Sequence, residues 1–242
     1  MAELVTTPKG RIGRPSRALT FAQAAAVLKQ AESSRLHAYV VLSLLTGIRT
    51  EEARALKWEH LVVWIEQAGT WQPVTDAGFD HERFAVYVWR SVRADGDTKT
   101  EKSRRTLELP TDAADALRKH HKRQAVLRLR LGEKYQDQGY VFTTRTGAPL
   151  DAGNVRRSFR LITKRAGIGE NWTPRELRHS FVSIMSDHGV PIETIADLVG
   201  HNGTGVTEKV YRHQLKPVIT KGAEMMNDIF TSKTSTTSTK SA

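Results

Sequence analysis

From Thr20 to Leu56 apolar side chains recur at helical spacing, and local turn chemistry divides the stretch into three helices. Thr20-Phe21-Ala22-Gln23 is a capping-box pattern opening an Ala-rich helix that runs to about Glu32. The next, about Arg35 to Leu45, carries Ala38, Tyr39, Val40, Val41, Leu42, Leu44 and Leu45. A helix apolar on most sides has no solvent face, so this one belongs at the centre. Gly47 ends it, and a third helix carries Glu51 to Leu56. The period then changes to two: Leu61–Ile65, Phe84–Trp89 and Arg105–Leu109 are expected as strands. Gln67 to Arg83, with Gly69, Pro73 and Gly78, is expected as a long irregular insert. After Pro110 helical spacing returns over about Asp112–Leu131, Ala152–Ala166, Pro174–His188, Pro191–Val199, a short stretch around Tyr211, and Pro217–Ile229. The pattern predicts an α+β domain, mainly α-helical with a small three-stranded antiparallel sheet.

The domain is expected over residues 18–230. Residues 1–17 scatter Lys9, Arg11, Arg14 and Arg17 among Gly and Pro, as in a basic extended linker. Residues 231–242, TSKTSTTSTKSA, are low in complexity and expected to be disordered.

Composition narrows the function classes. No apolar run approaches the ~20 residues of a membrane helix, and Met1-Ala2-Glu3-Leu4-Val5 lacks a signal-peptide core, so a cytoplasmic location with no membrane partner is expected. The chain has no cysteine, which excludes disulfides and thiolate metal sites. Lys+Arg number 37 against Asp+Glu 26, a formal charge of +11 with a pI near 10.0. Such an excess favours a polyanion at the surface, although a merely soluble basic protein has the same composition.

The candidate chemistry lies in separated blocks. Arg49, in TGIRTEEARAL, falls at a helix start, where free N–H groups and the dipole already favour an anion. Pairing with Glu51 or Glu52 is the structural alternative. In Thr173-Pro174-Arg175-Glu176 the Thr, Pro and Glu make a strong helix start, with Arg175 and Arg178 three apart on one face. His179 points elsewhere and suits a buried structural role. His201 closes LVGH at a helix end, and Tyr211 follows ten residues later (211 − 201) between Lys209 and Arg212-His213. Guanidinium forks match phosphate oxygens and stay charged, and a tyrosine beside a phosphate so held is a candidate nucleophile. Lys99 and its rival Lys102 precede the third strand in a basic segment. Lys102, Arg104 and Arg105 suit a solvated turn touching phosphates nonspecifically. Arg157, Arg160 and Lys164 share a helix face suited to a duplex backbone.

In these blocks and their order the chain resembles the tyrosine recombinases, or phage-type integrases, over roughly Arg17 to Ile219. The resemblance implies the catalytic-domain fold of that family and a DNA strand-exchange enzyme working through a 3′-phosphotyrosyl intermediate, without ATP, metal or other cofactor. It implies Arg49 and Arg178 as the catalytic arginines, Glu52 as a bracing carboxylate, Lys99 as general acid, His201 as an oxygen donor and Tyr211 as nucleophile. Arg175 stands where the family more often has histidine; it can donate to a phosphate but cannot readily take the tyrosine proton. The implied partners are double-stranded DNA, three further copies in a tetramer, and accessory DNA-bending or directionality proteins. Members normally carry a DNA-clamping domain before the catalytic one, so a catalytic fragment or a short natural version is expected. The alternatives are a single-strand nicking relative, a helix-turn-helix regulator built on Val190–Val199, and a decayed relative that only binds DNA.

Overall fold

In a computed structural model of the chain, residues 17–89, 91–92, 104–200 and 221–234 are described. The N-terminal helices form as their sequence dictates. Helix α1, Phe21–Ala31, starts from a complete capping box: Gln23 N–H donates to the Thr20 hydroxyl and Thr20 N–H to the Gln23 side chain. Helix α2, His37–Thr46, is buried from Ala38 through Thr46 and packs against α1 and later helices, so it is the hub of the core. Gly47 caps it at φ 63°, a left-handed conformation that costs little only for glycine. Helix α3, Thr50–Ala55, follows at once.

The sheet has four strands rather than the expected three. β1 (Leu61–Ile65), β3 (Phe84–Val88) and β4 (Arg105–Glu108) fall on the alternating segments. The supposed irregular insert contributes β2, Thr70–Pro73, and a short helix α4, Val74–Ala77. All pairings are antiparallel in the order β2-β1-β3-β4. Pro73 is acceptable because β2 is an edge strand, where a missing N–H breaks no interior ladder. The pairing that recruits β2 is non-local: Trp64 opposes Trp71 with ring centroids 5.5 Å apart, and the Arg83 guanidinium lies over both rings.

Helices α5 (Thr111–Leu131), α6 (Ala152–Arg165), α7 (Arg175–Asp187), α8 (Ile192–Val199) and α9 (Lys221–Thr234) complete the described fold. The α7 start is half the expected capping box: the Glu176 carboxylate accepts from Thr173 N–H at 2.5 Å, while Pro174 takes the cap position. Helix α9 runs through Thr234, correcting the expectation that the disordered tail begins at 231; Thr231–Thr234 contain no Gly or Pro to stop it. It packs on its own domain, with Asn227 accepting from Thr111 N–H and Phe230 against Phe21. Arg17, assigned to the linker, also belongs to the domain: its guanidinium lies 4.3 Å from the Trp172 ring centroid. The neighbouring Leu19 N–H donates to the buried Ser180 hydroxyl of α7 at 2.8 Å.

Candidate active site

The site is built where two helices end. The last carbonyls of a helix have no intrahelical donor and lie at the negative end of its dipole. Here those of α2 and α8 accept from arginines. Arg178, on α7, donates Nη1–H to the Gly47 carbonyl at 2.7 Å and Nη2–H to Val199 at 2.5 Å. Arg49, at the N-cap of α3, donates Nη2–H to the Gly200 carbonyl at 3.0 Å. Arg105, at the start of β4, donates Nε–H to Leu198 at 2.7 Å. Three successive carbonyls, 198 to 200, are thus each held by a different arginine, directly before His201.

Glu52 ties the arginines together. Its Oε1 accepts from Arg49 Nη1 at 2.6 Å and from Arg105 Nη1 at 3.3 Å. Its Oε2 accepts from the Arg49 backbone N–H at 2.8 Å and from Arg105 Nη2 at 3.0 Å. The carboxylate is 3% exposed, and burial alone would raise its pKa; Arg105 first, then Arg49, outweigh this and hold it below the ordinary glutamate value. Arg178 is pushed down to about 9 by burial, then by the nearby charges of Arg49 and Arg105. It remains charged at neutral pH, yet it sits in a field that an arriving anion would relieve. Among the described residues, each of Arg49 and Arg178 makes two side-chain bonds to the groups above, so that other N–H donors of its fork have no partner there.

The structure brings Arg49, Glu52 and Arg178 together. It corrects the solvated-turn placement of Arg105, which is 3% exposed in β4 and ion-paired with Glu52. The alternation of Arg-Thr-Leu-Glu-Leu carried the signal, because it puts Arg105 on the same strand face as Leu107 and Leu109, both buried. Arg104 is exposed as expected. Arg175 is exposed on the first turn of α7, unlike buried Arg178 three residues on. His179 is half-buried, its Nε2 buried and without a hydrogen-bond partner among the described residues. Burial, followed by the charges of Arg175 and Arg178, lowers its pKa. Lys99, Lys102, His201 and Tyr211 lie outside the described residues. On α6, Arg156, Arg157, Arg160, Lys164 and Arg165 are all exposed, while Val155, Phe159 and Ile162 bury the opposite side; Lys164 pairs with Glu170 at 2.6 Å. No metal-holding group of three or more ligands exists among the described residues, and none of their helices is long and apolar enough to cross a membrane.

Comparison with known proteins identifies the family and the fold. The model of the Phage integrase family matches residues 17–217, so the chain belongs to that family, the tyrosine recombinases. An integrase of Streptomyces ambofaciens is 53% identical over 232 residues, 95% of this chain and 58% of the relative. A XerC-like tyrosine recombinase of Caldanaerobacter subterraneus subsp. tengcongensis is 26% identical, over 93% of this chain and 57% of the relative. The chain therefore spans somewhat over half the length of these relatives. Among solved structures, XerA recombinase matches with a TM-score of 0.54 and 24% identity, covering 79% of this chain and 58% of that one. The Tn1549 transposon integrase in complex with transposon right-end DNA matches at 0.58 and 18%, covering 79% and 60%. These likenesses establish the fold as that of a tyrosine recombinase catalytic domain.

Proposed function

We propose that the chain is the catalytic part of a site-specific DNA recombinase that cuts and rejoins strands through a 3′-phosphotyrosyl intermediate. The observation that carries this reading is the convergence of Arg49 and Arg178, braced by Glu52, at the end of α8 immediately ahead of the segment holding His201 and Tyr211. Two guanidiniums already fixed by helix carbonyls lose little freedom when a phosphate arrives, and preorganised donors are commonly the largest catalytic contribution.

In the proposed reaction the Tyr211 oxygen attacks phosphorus, its proton passing to a base or water. A P–O bond to tyrosine forms and the P–O5′ bond breaks. Lys99 supplies the proton that leaves with the 5′ hydroxyl. One phosphodiester is exchanged for another, so neither ATP nor metal is consumed. Arg49, Arg178, Arg175 and His201 donate to the nonbridging oxygens. The partner is double-stranded DNA in the cytoplasm, with strand exchange in a tetramer and accessory proteins setting direction. The exposed cationic face of α6 (Arg157, Arg160, Lys164), together with Lys102 and Arg104, supports a backbone-tracking surface.

The test uses nicked duplexes tiling the DNA that adjoins the gene, in which cleavage releases a short strand and traps the covalent product. Wild type should give a denaturant-stable adduct that maps to the Tyr211 peptide, and Tyr211→Phe should give none. An adduct on another residue, or one retained by the Phe variant, defeats the proposal.

A further inference from the structure

We propose that Arg105 is a positioning residue of the active site, setting the direction of Arg49 through Glu52 and the end of α8 through Leu198. The inference deepens the recombinase reading and rests on it for its consequence, but not for its geometry.

Arg105 is 3% exposed, and burying a guanidinium is costly unless its donors are satisfied. They are satisfied in a particular way. Nη1 and Nη2 straddle the two oxygens of Glu52 at 3.3 and 3.0 Å, and Nε points to Leu198 O at 2.7 Å. A bidentate fork fixes the plane of a carboxylate, as a point cation cannot. That plane decides how Glu52 meets Arg49: Oε1 to the guanidinium and Oε2 to the backbone N–H. Arg105 also shares the carboxylate charge, so Glu52 holds Arg49 in place without neutralising it outright. The third bond holds the last turn of α8 at Leu198, one residue before the carbonyl held by Arg178 and two before the carbonyl held by Arg49. A single side chain on β4 therefore registers α3, α8 and the strand that follows the Lys99 segment.

Among the described residues, the charged groups facing Glu52 are Arg105 from β4, Arg49 at the start of its own helix, and Arg178 from α7. Arg105 is the main influence opposing burial at Glu52. Removing its charge leaves Arg49 alone against burial and raises the pH at which Glu52 takes up a proton. Because Glu52 in the intact protein has a lowered pKa, the brace is ionised above the ordinary carboxylate range and fails only as pH falls through its depressed value. Without Arg105 that failure moves upward.

The 242-residue chain is compared with Arg105→Gln and Arg105→Lys. Carboxyl carbon NMR, with Glu52 assigned through Glu52→Gln, reads its titration; single-turnover cleavage of the nicked duplexes, at a temperature where every variant is folded, reads the consequence. In Arg105→Gln the Glu52 midpoint should rise above that of the wild type, because the main influence opposing burial is gone. Cleavage of bound DNA should fall at least about tenfold, with an acid limb that follows the new midpoint, while DNA affinity changes little. Arg105→Lys should keep the charge and restore the titration partly, yet cleave slowly, because one ammonium cannot span both oxygens. If Arg105→Gln does not fold, the Lys variant carries the comparison. An unmoved Glu52 titration, or wild-type cleavage in both variants, overturns the inference. A purely structural arginine would lower stability without moving the acid limb. If wild type itself forms no adduct, the recombinase reading fails, and the Glu52 titration still decides whether Arg105 governs the brace.

Discussion

Replacing Gly47 by alanine should destabilise the domain through two separable effects. The residue lies at φ +63°, where an L side chain crowds its own backbone at a cost of about 1–2 kcal/mol. A Cβ built there also falls 2.6 Å from Cδ1 of Phe181 and 3.1 Å from two further ring atoms. That ring is 1% exposed on α7 and packed in the core, so it cannot swing into solvent. Forcing a methyl into such a contact costs roughly 1–3 kcal/mol, giving about 2–5 kcal/mol in total. For a domain of this size the loss corresponds to a fall in Tm of about 4–20 °C. Urea denaturation of wild type, Gly47→Ala, Phe181→Ala and the double variant separates the parts. The ring contact should appear as a coupling of about 1–3 kcal/mol, because removing the ring removes the clash, while the backbone strain stays in both arms. A Gly47→Ala loss under about 1 kcal/mol, or a cycle with no coupling, would refute the reasoning.

Alanine at Arg49 or Arg178 should slow cleavage by orders of magnitude while weakening DNA binding only a few-fold, since many other cations hold the backbone; an equal loss in filter binding and cleavage would make them positioning contacts instead. Because the field at Arg178 disfavours its own charge, sulfate at ten times Kd should stabilise wild type by about 1.4 kcal/mol more than chloride at equal ionic strength, read as a higher Tm, and Arg178→Ala should lose this difference. Neutralising Arg157 and Arg160 together should flatten the plot of log affinity against log salt by up to about two slope units, read by fluorescence anisotropy, with little change in the cleavage rate of bound DNA. At Arg175, Lys should retain much of the activity and Ala lose most of it if the side chain is a phosphate donor; a histidine there that raises cleavage, with a new pH dependence near 6 to 7, would mean the position needed a base.

Most of the fold was legible because its signals are local. The capping box of α1, the glycine stop of α2 and strands β1, β3 and β4 each follow from neighbours within a few residues. Strand β2 was not legible, since Gly69 and Pro73 argue locally for a loop. What makes Thr70–Pro73 a strand is pairing with β1 and the stacking of Trp64, Arg83 and Trp71, contacts that no window on the sequence contains. The corrected C-terminal boundary has a related cause. Low complexity predicted disorder from 231, whereas the backbone of α9, already committed by packing on α2, α5 and β4, extends through Thr234.

The same distinction explains the site. Arg49 and Arg178 stand in motifs whose resemblance to a family named them, and both donate to the end of α8. Arg105 stands in a run of cations, Lys102 to Arg105, where charge suggested solvent and strand alternation suggested the core. Alternation prevailed because Glu52 offers a buried counter-charge and α8 ends in a carbonyl aimed at the strand. A buried arginine is expensive in isolation, so its presence requires partners whose own positions are worth fixing. Here those partners are the carboxylate that braces Arg49 and the helix end that leads to His201. An arginine that the sequence placed in a solvated turn is therefore the one through which the strand, the brace and the helix end are held in register.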